Sequence, residues 1–140
     1  MTMSYGSGNE LAKFETALEA AGLAWWWMEL PSGVVFYSEN KTRLVGRSPK
    51  DFVHYQQFVD IVHKDDQARI MKDMQDYIDG TVPLYETTYR IQHADGTYRE
   101  FYDRGKIVSC KDGELYIAGI VFDITDINFE KMLAIRKKRR

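Results

Sequence analysis

Between residues 85 and 125 the chain alternates apolar and polar side chains in three runs separated by Asp95-Gly96 and Asp112-Gly113. Each pair joins a short polar residue to a glycine, the chemistry that supplies positive backbone angles to a tight hairpin. Two such turns in succession predict an antiparallel meander. Any fold proposed for the chain has to house that three-stranded sheet.

The preceding residues add helices and two more strands. Leu11, Phe14, Leu18 and Ala21 recur at helical spacing, with Ser7 or Asn9 as N-cap and Gly22 as the stop, which predicts an amphipathic helix ahead of the sheet. Residues 23–30 read as a strand whose alternation puts Trp26, Met28 and Leu30 on one face and Trp25 and Trp27 on the other. The second face needs cover from the first helix or a second subunit, because two bare indoles leave a large apolar patch. Pro31-Ser32-Gly33 is a turn, and residues 34–38 return as a second strand. Leu44, Val45, Phe52, Phe58, Ile61 and Val62 are scattered among Gly46, Pro49 and polar residues, which predicts several short helices. Asp65 or Asp66 then caps a longer helix that buries Ile70, Met74 and Tyr77 or Ile78 and ends at Gly80. A last helix follows the meander.

A chain of 140 residues suits one domain and is too short for a sensor joined to a separate catalytic module. With 44% hydrophobic and 29% charged residues it reads as a soluble globular protein, and a net charge of -2 gives no general pull toward nucleic acid. The basic run at 136–140 is read as a solvated helix end, so neither nucleic-acid nor direct membrane contact is expected. Lone Cys110 excludes an intrachain disulfide and fits a reducing compartment. No run is long and apolar enough to predict a membrane span, and the residues before Leu11 lack the apolar core of a signal peptide. The expected location is the cytoplasm; an anchor elsewhere in a longer parent is compatible with this reading.

The ordered set of local features resembles the PAS domains of bacterial and archaeal sensor histidine kinases. Residues 26–33 are similar to the family's opening strand and turn, and Tyr37-Ser38 with Leu44-Val45-Gly46 to its second strand and first short helix. Val62-His63-Lys64-Asp65-Asp66 resembles the family's His-Pro-Asp-Asp entry into the long helix, with Lys64 in place of proline. Glu86, Tyr89, Arg90, Asp95, Gly96, Arg99, Gly105, Gly119 and Asp123-Ile124-Thr125 resemble the closing strands, with Phe101 where many relatives carry tryptophan. The resemblance implies an α+β fold, a five-stranded antiparallel sheet with short helices on one face enclosing a small apolar cavity. It divides the chain into an N-terminal helical extension at 1–22, a PAS domain at 23–125 and an output helix at 126–140.

The resemblance further implies a sensory and dimerisation module of a two-component signalling protein. Inward-facing candidates for a ligand pocket are Trp26, Met28, Phe36, Ile70, Met74, Ile91 and Ile120. Asp123, Thr125 and Arg90 are the candidates for relaying a change in the sheet to the terminal helix; Glu86 and Arg90 share a strand face, Asp123 is placed to reach an arginine from the neighbouring strand, and a structural ion pair is the favoured reading of these charges. Leu11, Phe14, Leu18, Trp25 and Trp27 are the candidate dimer surface, and Ile127, Met132, Leu133 and Ile135 give the last helix enough apolar surface for weak pairing. Expected partners are a second copy of the chain, an output kinase or similar domain, and a small-molecule ligand.

No particular cofactor is indicated. His63 could ligate a metal or haem iron, but beside two aspartates a loop-shaping hydrogen bond is the favoured reading. Haem-binding relatives take their ligand from the long helix, which here has no histidine; Met71 and Met74 read as core filler. His54 and His93 lack zinc spacing. Light-sensing relatives form a flavin adduct through the cysteine of an Asn-Cys-Arg-Phe-Leu-Gln helix, a motif absent here. Nucleophile-elbow, phosphate-loop and kinase signatures are missing too, so enzyme activity is not expected. Three alternatives remain: a ligand-free self-association module, a flavin- or haem-binding sensor, and a buried-acid isomerase. The isomerase needs a carboxylate in the cavity, for which Glu29 and Glu86 are the strand candidates.

Overall fold

The structure, a computed structural model, describes residues 8–127. The Ser7 cap, most of the expected output helix, its apolar residues Met132, Leu133 and Ile135, and the basic run at 136–140 lie outside the described residues.

Helix α1 (Gly8–Ala20) ends at Gly22, whose φ of +73° is the left-handed stop that its lack of a Cβ permits. Asn9 falls within the first turn of this helix rather than capping it. Strands β1 (Leu23–Leu30) and β2 (Val35–Tyr37) form the first hairpin, followed by the short helices α2 (Glu39–Arg43) and α3 (Tyr55–Ile61) with a 3-10 turn (Pro49–Asp51) between them. The longer α4 (Lys64–Ile78) leads into the meander of β3 (Tyr85–Gln92), β4 (Tyr98–Lys111) and β5 (Glu114–Asp123). In the second turn both Asp112 (φ +53°) and Gly113 (φ +81°) have positive φ, as a two-residue hairpin requires. In the first only Gly96 does (φ +92°), and the Gly96 N–H donates to the His93 carbonyl at 2.9 Å.

All pairings are antiparallel, and the strand order is β2-β1-β5-β4-β3. Strands β2 and β3 are the two edges, so the connection that carries α2, α3 and α4 must cross a face of the sheet. That face holds the core. Trp26, Met28, Val35, Tyr85, Tyr89, Ile91, Phe101, Ile117 and Val121 point into it, and the helices contribute Phe58, Val59 and Ile70.

Helix α4 is capped by His63, not by Asp65 or Asp66: His63 Nδ1 accepts from the Asp65 N–H at 3.1 Å. Asp66 is engaged elsewhere, because its carboxylate accepts from Arg90 at the backbone N–H (2.8 Å), Nε (3.0 Å) and Nη2 (2.9 Å). The Arg90 hydrogen bonds hold the Asp66 carboxyl well below the usual carboxylate range despite the opposing effect of burial. This clamp ties α4 to edge strand β3. Among the described residues, no helix is long and apolar enough to cross a membrane.

Candidate functional site

The site grows from the way α2 is pinned to β1. Ser38 Oγ accepts from the Lys41 N–H (3.2 Å) and from the Trp25 N–H (3.1 Å), and the Asn40 side chain donates to the Leu23 carbonyl at 2.9 Å. These bonds press a five-residue helix against the sheet and turn Lys41 inward, leaving it only 4% exposed. Its ammonium sits 3.9 Å from the ring centroid of Tyr37, 4.7 Å from that of Phe58 and 5.7 Å from that of Trp26. Aromatic faces are the surfaces that best tolerate a desolvated cation.

Strand β4 supplies the opposite charge. Its alternation points Phe101, Asp103 and Gly105 to the core, and Asp103 is 3% exposed. Asp103 Oδ1 accepts from Trp26 Nε1 and Oδ2 from the Tyr89 hydroxyl at 3.0 Å. Burial raises the Asp103 carboxyl to about 6, against the attraction of Lys41 and the two hydrogen bonds. Burial also lowers the Lys41 ammonium to about 8, with Asp103 opposing. Both are therefore charged near neutrality. Among the described residues, Lys41 Nζ makes no hydrogen bond or contact ion pair, so the two charges attract without touching.

Both groups line a cavity of about 160 Å³ between the core face of the sheet and α2, α3 and α4. Trp26 lies across Gly119 on the adjacent β5 and Gly105 on β4 beyond it; a Cβ at Gly105 would meet its ring at 2.8 Å. Removal of two side chains is thus what lets the indole lie flat and reach Asp103.

Of the pocket candidates, Trp26, Met28, Ile70 and Met74 line this cavity. Ile91 is buried in the core near the other end of β3, where it bridges to Val62 rather than lining the cavity. Phe36 and Ile120 are corrected: both point to the outer face. Phe36 pairs with Trp27, its ring 4.9 Å away, and is 49% exposed. Ile120 pairs with Trp25, and the inward positions of β5 go to Ile117, Gly119 and Val121. Lys41 and Asp103 were missed. An acidic residue at an inward position between Phe101 and Gly105 was a legible sign; a five-residue helix has no period that could have flagged Lys41. The carboxylate in the cavity is consequently Asp103, neither Glu29 nor Glu86.

The relay candidates are bonded to one another. Asp123 Oδ2 accepts from Arg99 Nε (2.9 Å) and Nη2 (2.7 Å), and its Oδ1 accepts from the Thr125 N–H at 3.0 Å. Thr125 Oγ1 in turn accepts from the Glu100 N–H at 2.9 Å. Arg90 is not part of this cluster, being held by Asp66, and Glu86 accepts from the Tyr102 hydroxyl and approaches Arg104 at 3.5 Å. Of the dimer candidates, Leu11 and Phe14 are 57% and 65% exposed, Leu18 and Trp25 line a second pocket between α1 and β1, and Trp27 stacks on Tyr116 at 5.5 Å. Among the described residues, no three His, Cys, Asp or Glu side chains gather as a metal site.

A profile described as the PAS fold matches residues 34–121. Among curated proteins, the blue-light-activated histidine kinases of Brucella anthropi and Brucella ovis are each 25% identical over 125 residues. The match covers 89% of this chain and 25% of theirs, so the chain spans about a quarter of their length. Among solved structures, a sensory box histidine kinase/response regulator from Burkholderia thailandensis superposes with a TM-score of 0.68 at 21% identity, over 91% of this chain and 95% of that one. A domain of a putative light and redox sensing histidine kinase from Haloarcula marismortui gives 0.65 at 20% identity, over 81% and 99%. An RNA-binding light-oxygen-voltage receptor gives 0.60 at 16% identity, over 83% and 34%. Cys110 is exposed on β4 and does not line the cavity.

Proposed function

The chain belongs to the PAS-fold family, and from that premise we propose that it is the sensory module of a histidine kinase or related two-component protein. A ligand that binds one arrangement of the sheet better than another shifts the population toward that arrangement, and the shift passes to whatever follows Thr125. The observation that carries this reading is the closed cluster of Arg99, Asp123, Thr125 and Glu100, which locks the end of β5 to β4 at the point where the chain leaves the sheet.

The test is Thr125→Ala and Asp123→Ala in the parent signalling protein. Thr125→Ala removes one cap to the Glu100 N–H and is expected to cost about 1 kcal/mol of stability. Ligand-dependent change in output should nevertheless be largely lost in both variants. A variant that signals as the wild type does would remove the relay.

A second reading, self-association through α1 and the outer aromatic face, is favoured by the exposure of Leu11 and Phe14 one helical turn apart. Light scattering should then give twice the chain mass at high concentration and close to the monomer mass for Phe14→Glu. A monomeric wild type at all concentrations would sink it. A catalytic role has weaker support. The acid in the cavity already accepts hydrogen bonds at both oxygens and faces an ammonium, an arrangement suited to fixing a charge more than to taking a proton from a substrate.

A further inference from the structure

Resting on the sensory reading, we propose that the cavity binds an uncharged single-ring phenol whose hydroxyl bridges Lys41 and Asp103. Three independent features lead there. The first is size: a cavity of about 160 Å³ is close to the roughly 150 Å³ that takes up one benzene ring. The second is the wall, where Trp26, Tyr37, Phe58 and Tyr85 present rings and Met28 and Met74 present adaptable thioethers.

The third is the polar pair. Asp103 has both oxygens engaged, yet a carboxylate has room for about four hydrogen bonds and can accept another. Lys41 has three N–H donors, none of them engaged by a hydrogen bond among the described residues, and it faces the cavity. The two charges cancel, so the site is neutral as a whole. A carboxylate ligand would bring a like charge to Asp103, and an amine would bring one to Lys41, in surroundings with little water to screen either. A hydroxyl donates to the carboxylate and accepts from the ammonium with no net charge. The Tyr37 and Tyr85 hydroxyls, which line the same space, are kept neutral because burial pushes both above the usual tyrosine range.

The experiment is calorimetric titration of the purified full chain with phenol, toluene, benzoate and benzylamine, of which the first two are nearly isosteric and the last two carry a negative and a positive charge on a slightly longer substituent. Phenol should bind at least about tenfold more tightly than each of the other three, the discrimination expected when one probe alone satisfies buried charged partners. In Lys41→Met the advantage of phenol over toluene should fall to about threefold or less, with toluene still bound. Benzoate or benzylamine matching phenol would overturn the neutral-ligand proposal, and toluene matching phenol would overturn the bridging hydroxyl. Failure of all four to bind at millimolar concentration would overturn the ligand class, while the Asp123 and Thr125 variants test the relay separately. The wild-type series decides the question even if Lys41→Met fails to fold.

Discussion

Replacing Asp103 by asparagine should lower folding stability at neutral pH by about 3–5 kcal/mol, the usual cost of leaving one member of a buried charge pair without its counter-charge. Asparagine keeps one acceptor oxygen, so one of the two donors, Trp26 Nε1 or the Tyr89 hydroxyl, faces an amide NH2. The larger loss falls on Lys41, whose ammonium is then buried with only aromatic faces around it. The pH dependence separates this cause from simple misfit. In the wild type the Lys41 ammonium is lowered from 10.5 to about 8, so its contribution to stability is present above 10.5 and lost as pH falls through about 8. The Asp103 carboxyl is raised from 3.8 to about 6, so its contribution is present below 3.8 and lost as pH rises through about 6. Without Asp103 the lysine falls further, its window opens at lower pH, and moving from pH 7 to 9 should restore more stability to the variant than to the wild type. Urea unfolding at both pH values measures this, with Lys41→Met/Asp103→Asn as the partner variant in which most of the loss is recovered. An Asp103→Asn midpoint equal to the wild type would end the argument.

Gly119→Ala should cost about 3 kcal/mol or more, at the upper end of what a single added methyl does in a packed core. The new Cβ would collide with the Arg104 carbonyl oxygen and with the Trp26 indole together, and a strand carbonyl cannot move without disturbing the β4–β5 ladder. Displacing the indole also loosens its hydrogen bond to Asp103, so the damage reaches the charged pair. Gly105→Ala is the graded comparison, because its Cβ would meet the ring at 2.8 Å and the Ala118 carbonyl oxygen at 3.0 Å, a milder intrusion. Chemical unfolding should rank the wild type above Gly105→Ala and Gly105→Ala above Gly119→Ala. If Gly119→Ala unfolds with the wild type, the account of why glycine stands there is wrong.

Much of the architecture was legible because the strands carry strong local signals. The Asp-Gly pairs mark both meander turns, and the alternation in residues 23–30 correctly separates Trp26 and Met28 from Trp25 and Trp27. Parity failed where both faces of a strand are apolar. Around Ile120, strand β5 reads Ile117, Ala118, Gly119, Ile120, Val121, and only the register against Trp26 reveals that Gly119 is inward. Phe36 sits in a strand of three residues, too short to show a period. Asp123 does meet an arginine of the neighbouring strand, Arg99 of β4, but Arg90 falls outside the relay for another reason: it lies on an edge strand and reaches Asp66 of α4. Pairing across distant segments is set by topology, which no local pattern encodes. The Lys41–Asp103 couple depends on the same long-range information, joining a one-turn helix to a strand some sixty residues later.

The placement of β1 beside β5 has a mechanical consequence. Leu23 and Phe122 are partners at the same end of the sheet, so the segment entering β1 and the segment leaving β5 part from adjacent points. Tension between those segments opens the central ladder like a zipper, one rung after another, instead of shearing eight rungs at once. Resistance to pulling then depends on the first few rungs and the Arg99–Asp123 contact beside them, and hardly at all on the depth of the core. If the chain works as the sensory module proposed above, a small twist or separation of the flanking segments would act first on the strand that carries Trp26.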